Sequence, residues 1–210
     1  MREALNVLLN NVKKEMSACP WENPYAYADF LAQTYYYVCH STRLLGLAAG
    51  LCRVDRDLLH RRFVQHIGEE KLHERLALND LRGLGLKLED FPERSITKAF
   101  YEAQYYKIER LDPTALFGYI LLLEGVAVSL CPEIYQRIAR AHGKQCANFL
   151  RVHVEEDVDH LPKAFAQIEG LSASQKNDIM INMAQTADLY GKIIAQAAQS
   201  PSVDARARAA

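Results

Sequence analysis

Apolar residues recur at intervals of three and four along most of the chain, a pattern typical of amphipathic helices that bury one face. No segment shows the alternation of apolar and polar residues that predicts a strand. The pattern therefore predicts an all-α bundle of seven or eight helices without a sheet. The expected helices cover about 2–17, 25–50, 55–83, 90–110, 112–131, 132–143, 144–165 and 172–199.

Residues that favour helix starts set several of these boundaries. Asp55, Asp90 and Ser172 each precede an amphipathic run and are candidate N-caps. Asp112 is followed by Pro113, and proline favours the first helical position. The segment CPWENP contains two prolines and predicts a turn after the first helix.

The length of 210 residues suits one domain with a sizeable core. We expect the helical domain to cover 1–199 and the small, polar, Ala-rich tail at 200–210 to be disordered. No apolar run reaches the ~18 residues of a membrane-spanning helix. The N-terminus also lacks the apolar region and cleavage site of a secretory signal.

Charge and cysteine content narrow the range of functions. The formal net charge is −1 and no strongly basic stretch is present, so the sequence indicates neither a nucleic-acid partner nor an anionic membrane surface. The five cysteines are widely spaced and form no C-x2-C pair. This pattern argues against a zinc ribbon or a disulfide framework and favours a reducing cytoplasm.

One polar triplet lies in the segment expected to form the third helix. It reads His66-x3-Glu70-x2-His73, a spacing that puts three potential metal ligands on one helix face. Glu69 competes with Glu70 for the role of the carboxylate, but Glu70 shares a face with His73. His66 is open to three interpretations: a ligand, a residue that hydrogen-bonds a ligand, or a core histidine.

A second triplet, His153-x3-Asp157-x2-His160, repeats the spacing near the C-terminus. Acidic neighbours allow the alternative of a solvated polar face. Apolar residues on or near the same face favour burial, and with it metal binding.

Glu124 lies in the most apolar predicted helix, within LFGYILLLEGVAVSL. Burying an ionised carboxylate there costs several kcal/mol unless it is paired or bound to a metal. A pairing with Tyr or Arg is the alternative, but two His-rich helices elsewhere favour a metal ligand. Three carboxylates and three imidazoles are enough for two ions, and this donor mixture suits iron or manganese.

Together these segments resemble the haem-oxygenase-like dimetal oxidases, also called iron-containing redox enzymes. The resemblance is carried by E-x2-H on one helix, a lone Glu before P-E-x-Y, and then H-x3-D-x2-H, over about 25–190. It implies a haem-oxygenase-like bundle without haem and a labile non-haem di-iron site that activates O2. Carried over by position, the ligands are Glu70, His73, Glu124, His153, Asp157 and His160, with His66 outside the pattern.

The resemblance also implies a small-molecule substrate, such as an amino acid, a fatty acid or a derived metabolite. The outcomes known in the family include N-oxygenation, oxidative decarboxylation, C–C cleavage and a self-sacrificing route to an aromatic amine. An external electron donor and a homodimer are left open. Tyrosines that could line the substrate pocket are Tyr35, Tyr36, Tyr37 and Tyr119, with a second cluster at Tyr101, Tyr105 and Tyr106.

Two other functions compete with the oxidase. A thiaminase-like hydrolase of the same fold would need no metal and would use Cys131 as its nucleophile. A non-catalytic helical metal-binding or interaction protein would use the His-rich faces for binding alone. A ferritin-like di-iron bundle fits poorly, because its second E-x2-H helix is replaced by D-x2-H and no second lone Glu is clear.

Overall fold

The computed structural model of the chain describes residues 1–156 and 160–200. The side chains of Glu156 and His160 are outside the description as well, so the predicted ligands Asp157 and His160 lie outside the described residues. The described part contains α-helices, short 3-10 turns and connecting loops, and no strand. The all-α prediction is therefore confirmed.

Eleven α-helical segments follow one another along the described chain. They are α1 (Arg2–Ala18), α2 (Pro24–Val38), α3 (Ser41–Leu51), α4 (Asp57–Glu70), α5 (His73–Gly83), α6 (Ser95–Arg110), α7 (Leu116–Ser129), α8 (Cys131–His142), α9 (Asn148–Glu156), α10 (His160–Glu169) and α11 (Ala173–Ala197).

The prediction of one helix at 25–50 and another at 55–83 was wrong, because each is two helices. The first is interrupted at Cys39 and His40, between α2 and α3. The second is interrupted at Lys71 and Leu72, where Leu72 has a left-handed backbone with φ of 71°. An L-residue with a side chain costs about 1–2 kcal/mol in that conformation. The helical pattern continues through both breaks, so periodicity alone did not reveal them.

Two of the predicted helix starts are confirmed. Asp112 accepts a hydrogen bond of 2.9 Å from the backbone N–H of Thr114, ahead of a 3-10 turn that leads into α7. Ser172 accepts one of 3.3 Å from the N–H of Gln175 and caps α11. Asp90 was wrong as a cap, since it lies in a separate 3-10 turn and α6 begins at Ser95.

The centre of the bundle is α7, which is buried on nearly all sides. It packs closely along α11 at Gly118, where a Cβ atom would lie 2.4 Å from the carbonyl oxygen of Ile179. The remaining helices surround this pair, and α7 carries Glu124 into the interior.

Among the described helices, none is by itself long and apolar enough to cross a membrane. The helices Pro113–Ser129 and Cys131–His142 are long and apolar enough only when they are taken together, and they are bent at 56° to each other.

Candidate metal centre

Helix α4 presents His66 and Glu70 on its buried side. Leu59, Phe63 and His66 are buried at helical spacing, so the polar ligand candidates continue the apolar stripe. The helix ends at Glu70, and the left-handed Leu72 turns the chain so that α5 begins at His73. Glu70 and His73 thus meet across a helix break and not, as the spacing predicted, along one helix face.

A first group of donors combines α4 with the central helix. The His66 Nε2 atom lies 3.5 Å from Glu70 Oε1 and 3.4 Å from Glu124 Oε1. His66 and Glu124 are buried, and Glu70 is half-buried. One ligand atom from each of these three residues lies within 4.8 Å of the others.

A second group shares Glu70 with the first and adds two imidazoles. His73 Nδ1 lies 3.6 Å from Glu70 Oε2, and the His73 and His153 rings are 4.9 Å apart between centroids. His153 Nδ1 lies 2.7 Å from the Phe149 carbonyl oxygen, a hydrogen bond that orients the ring. Potential ligand atoms of Glu70, His73 and His153 again lie within 4.8 Å of one another.

The separations in these two groups match those of atoms that bind one metal ion. A hydrogen bond from N–H to oxygen spans about 2.7–3.2 Å, shorter than the His–Glu distances here. Two donors that each lie about 2.1 Å from one metal ion, at about 110° to each other, are ~3.4 Å apart. Imidazole and carboxylate are also donors that iron accepts. The residues present therefore fit a metal centre that binds iron, and Glu70 belongs to both donor groups.

The charges within the cluster reinforce one another. Burial alone would raise the pKa of Glu70, but the neighbouring imidazoles of His66 and His73 outweigh burial and hold its pKa well below the usual range. Burial lowers the pKa of His66, yet Glu124 and Glu70 outweigh it and leave that pKa raised. A bound metal ion would displace the proton of His66, because a histidine ligand is neutral, and would take over as the positive charge beside Glu70 and Glu124.

The predicted ligands that the structure describes come together as one cluster: His66, Glu70, His73, Glu124 and His153. The choice of Glu70 over Glu69 agrees with the geometry, because Glu69 is engaged elsewhere. Its carboxylate accepts hydrogen bonds of 3.0 Å from Arg62 Nη1 and from Gln65 Nε2.

An apolar cavity opens beside the cluster. His66, Glu70, Glu124 and His153 form part of its wall. Most of the remaining wall is aliphatic, including Val38, Leu44, Leu45, Leu116, Ile120 and Leu150. The cluster therefore faces a space that suits the apolar body of a small molecule.

Three tyrosines and a cysteine also line the cavity. Tyr37 and Tyr119 were predicted candidates, whereas Tyr190, on the buried face of α11, was missed. Burial raises the pKa of Tyr119 and of Tyr190 well above the ordinary value, so both hydroxyls keep their protons. Cys131 at the start of α8 also lines the cavity.

The other predicted tyrosines lie outside this wall. Tyr35 and Tyr36 are half-buried on α2. Tyr101 stacks on His40 with ring centroids 3.8 Å apart, and the Tyr105 hydroxyl lies 2.9 Å from His40 Nδ1.

A buried carboxylate outside the cluster holds two of its helices together. Asp80 on α5 accepts hydrogen bonds of 2.7 Å from the Phe149 backbone N–H and 3.1 Å from the Asn148 side chain, at the start of α9. The sequence pattern did not single out Asp80. Its only signal was a polar side chain at a buried position of an amphipathic helix.

The fold has counterparts among solved structures. A domain of unknown function with a heme oxygenase-like fold from Shewanella denitrificans OS217 matches with a TM-score of 0.79 and 17% identity, over 92% of this chain and 86% of that one. A TenA homolog from Pseudomonas syringae pv. tomato DC3000 matches with a TM-score of 0.74 and 13% identity, over 92% of each chain. At these identities the likeness establishes a haem-oxygenase-like fold and nothing further.

No curated protein sequence matches the chain significantly. The model of a family described as iron-containing redox enzymes matches residues 28–191. That span contains every residue of the cluster described above, including the shared Glu70. On this evidence the chain belongs to the iron-containing redox enzyme family.

Proposed function

We propose that the protein is a non-haem di-iron oxidase that uses O2 to oxidise a small molecule with an apolar body. The observation that carries the proposal is the position of Glu70, whose carboxylate belongs to both donor groups. A carboxylate shared by two donor groups suits a dinuclear site. Two irons held there would supply two of the four electrons that reduce O2 to water, and the oxidised substrate would supply the other two.

The donor chemistry supports iron as the metal. The described donors are imidazole and carboxylate groups without a thiolate, a mixture that suits iron or manganese, and the family description favours iron. Asp157 and His160, which the sequence motif assigns to the same centre, would add one carboxylate and one imidazole.

The cavity supports a substrate with an apolar chain. Among the described lining residues there is no lysine or arginine to meet a substrate carboxylate. The cavity's own carboxylates, Glu70 and Glu124, are committed to metal in this proposal, so a substrate ammonium group would also lack a partner. A fatty acid whose head group faces the metals fits this wall better than a zwitterionic amino acid does.

A matched pair of substrates tests the proposal. Octanoate and 2-aminooctanoate differ only in the amine. We expect the iron-loaded, desalted protein to consume O2 faster with octanoate, by about tenfold or more, since burying the unpaired ammonium costs at least ~1.4 kcal/mol. His153→Ala should lose this O2 consumption. Equal consumption by His153→Ala would contradict the oxidase, and a preference for the amino acid would contradict the substrate class.

The position of Cys131 favours one alternative function. Its thiol lines the same cavity as Glu124, and a TenA homolog shares the fold, so a metal-independent hydrolase using a cysteine nucleophile is the alternative. If the protein is such a hydrolase, it should hydrolyse thiamin even when a chelator has removed all metal. Cys131→Ser should abolish that hydrolysis. The oxidase proposal predicts no such hydrolysis, and unchanged O2 consumption in Cys131→Ser.

A further inference from the structure

We propose that His66 binds metal directly, as a donor additional to the six residues of the sequence motif. The proposal rests on the metal centre proposed above, but not on its O2 chemistry or on its substrate. It assigns His66 to the ion held by Glu70 and Glu124.

The position of the His66 ring is the first argument. Its Nε2 atom faces two carboxylates from different helices, at 3.5 Å from Glu70 and 3.4 Å from Glu124. Both separations lie close to the ~3.4 Å expected between two atoms that bind one metal ion. The ring nitrogen therefore converges on the same point as carboxylate oxygens from α4 and α7.

The composition of the two donor groups is the second argument. The group formed by Glu70, His73 and His153 contains two imidazoles, whereas Glu70 and Glu124 without His66 offer only oxygen donors among the described residues. With His66, each group supplies three donors and each contains nitrogen. Three donors hold a first-row metal ion while leaving positions open for ligands.

The local fold is the third argument. His66 precedes Glu70 by one helical turn, so α4 presents both side chains to the same point. The ring is buried, and so the helix delivers it to the centre without competition from water. This arrangement distinguishes His66 from His60 on the same helix, whose Nδ1 atom lies 2.9 Å from the Ala49 carbonyl oxygen.

The expected consequence is weaker binding of one of the two metal ions. His66→Ala should lower the affinity for the ion of Glu70 and Glu124 by at least about tenfold. His60→Ala, on the same helix, should bind two ions with unchanged affinity.

Identifying the metal-bound imidazoles in the unaltered protein tests the assignment directly. The Co(II)-loaded protein, with its histidines labelled by 15N, should show a paramagnetically shifted signal from His66 beside those of His73 and His153. The absence of a shifted His66 signal from a protein that binds two Co(II) ions would overturn the role of His66 and leave the di-metal centre standing. A protein that binds no Co(II) would overturn the metal centre itself.

The variants separate direct binding from a hydrogen-bonding role. His66→Gln keeps a polar side chain of similar size but removes the imidazole, and it serves also if His66→Ala fails to fold. One shifted signal should disappear in His66→Gln, whereas an unchanged number of signals would contradict direct binding.

Discussion

The Asp80 carboxylate accepts a hydrogen bond of 2.7 Å from the backbone N–H of Phe149 and so fixes the start of α9 against α5. These two helices carry His153 and His73, whose ring centroids are 4.9 Å apart. The distance between the two imidazoles therefore depends on a contact that lies outside the metal centre. Groups that orient ligands in this way commonly change metal affinity by about 10–100-fold.

Replacing Asp80 by alanine should destabilise the protein by about 2 kcal/mol, because a buried helix cap and its charge-assisted hydrogen bonds are lost. It should also weaken metal binding by about tenfold. Chemical denaturation and equilibrium dialysis with Fe(II) measure the two effects.

Ser172→Ala is the matched control for Asp80→Ala. It removes the cap of α11, which is exposed and remote from the cluster, and should cost about 1 kcal/mol without any change in metal affinity. If Asp80→Ala binds iron as tightly as the unaltered protein, the contact with Phe149 has no part in placing His153.

The left-handed backbone at Leu72 leads to a second prediction. Leu72→Gly should stabilise the protein by up to about 1 kcal/mol, since glycine adopts positive φ without steric cost and the leucine that is lost is 44% exposed. The free energy of unfolding in urea measures the change.

For Leu58, an exposed leucine in the first turn of α4, we expect the opposite effect of glycine. Leu58→Gly should destabilise the protein by up to about 1 kcal/mol, because glycine has a low helix propensity and Leu58 is in an ordinary helix. If both glycine variants destabilise equally, the conformation of Leu72 carries no strain.

Close packing of α7 on α11 leads to a third prediction. Gly118→Ala should destabilise the protein by about 3 kcal/mol or more, because its Cβ would lie 2.4 Å from the Ile179 carbonyl oxygen and 2.6 Å from the Met183 nitrogen. Both atoms belong to the backbone of α11, so a simple side-chain adjustment cannot make room. Thermal unfolding monitored by circular dichroism measures the loss.

Gly125→Ala on the same helix should be far milder. Its Cβ would meet only the flexible side chains of Leu9 and Leu5, at 3.2 Å or more. A loss of stability in Gly125→Ala as large as that in Gly118→Ala would show that helix contact at Gly118 is not the cause.

Helical periodicity predicted most outer helix boundaries, but not the breaks inside two long helices. The stripe of apolar residues continues past Glu70, and Leu72 is not a residue that favours positive φ. Packing of α4 and α5 around the cluster decides that conformation, and such tertiary effects leave no mark in local propensity.

Spacing along the chain was sufficient to bring Glu70 and His73 together, because they are only three residues apart. It could not place Glu124 beside His66, since their distance depends on how α4 packs against α7. Tyr190 and Asp80 were missed for the same reason: their roles come from contacts between helices that are distant in sequence.

Iron content after reconstitution without oxygen tests the dinuclear centre most directly. We predict about two Fe(II) ions per chain for the unaltered protein and for His60→Ala, since both retain every donor. Glu70→Gln should bind fewer than about one, because the oxygens that both donor groups share are replaced by an amide. No bound iron in the unaltered protein, or two ions in Glu70→Gln, would contradict a di-iron centre built around Glu70.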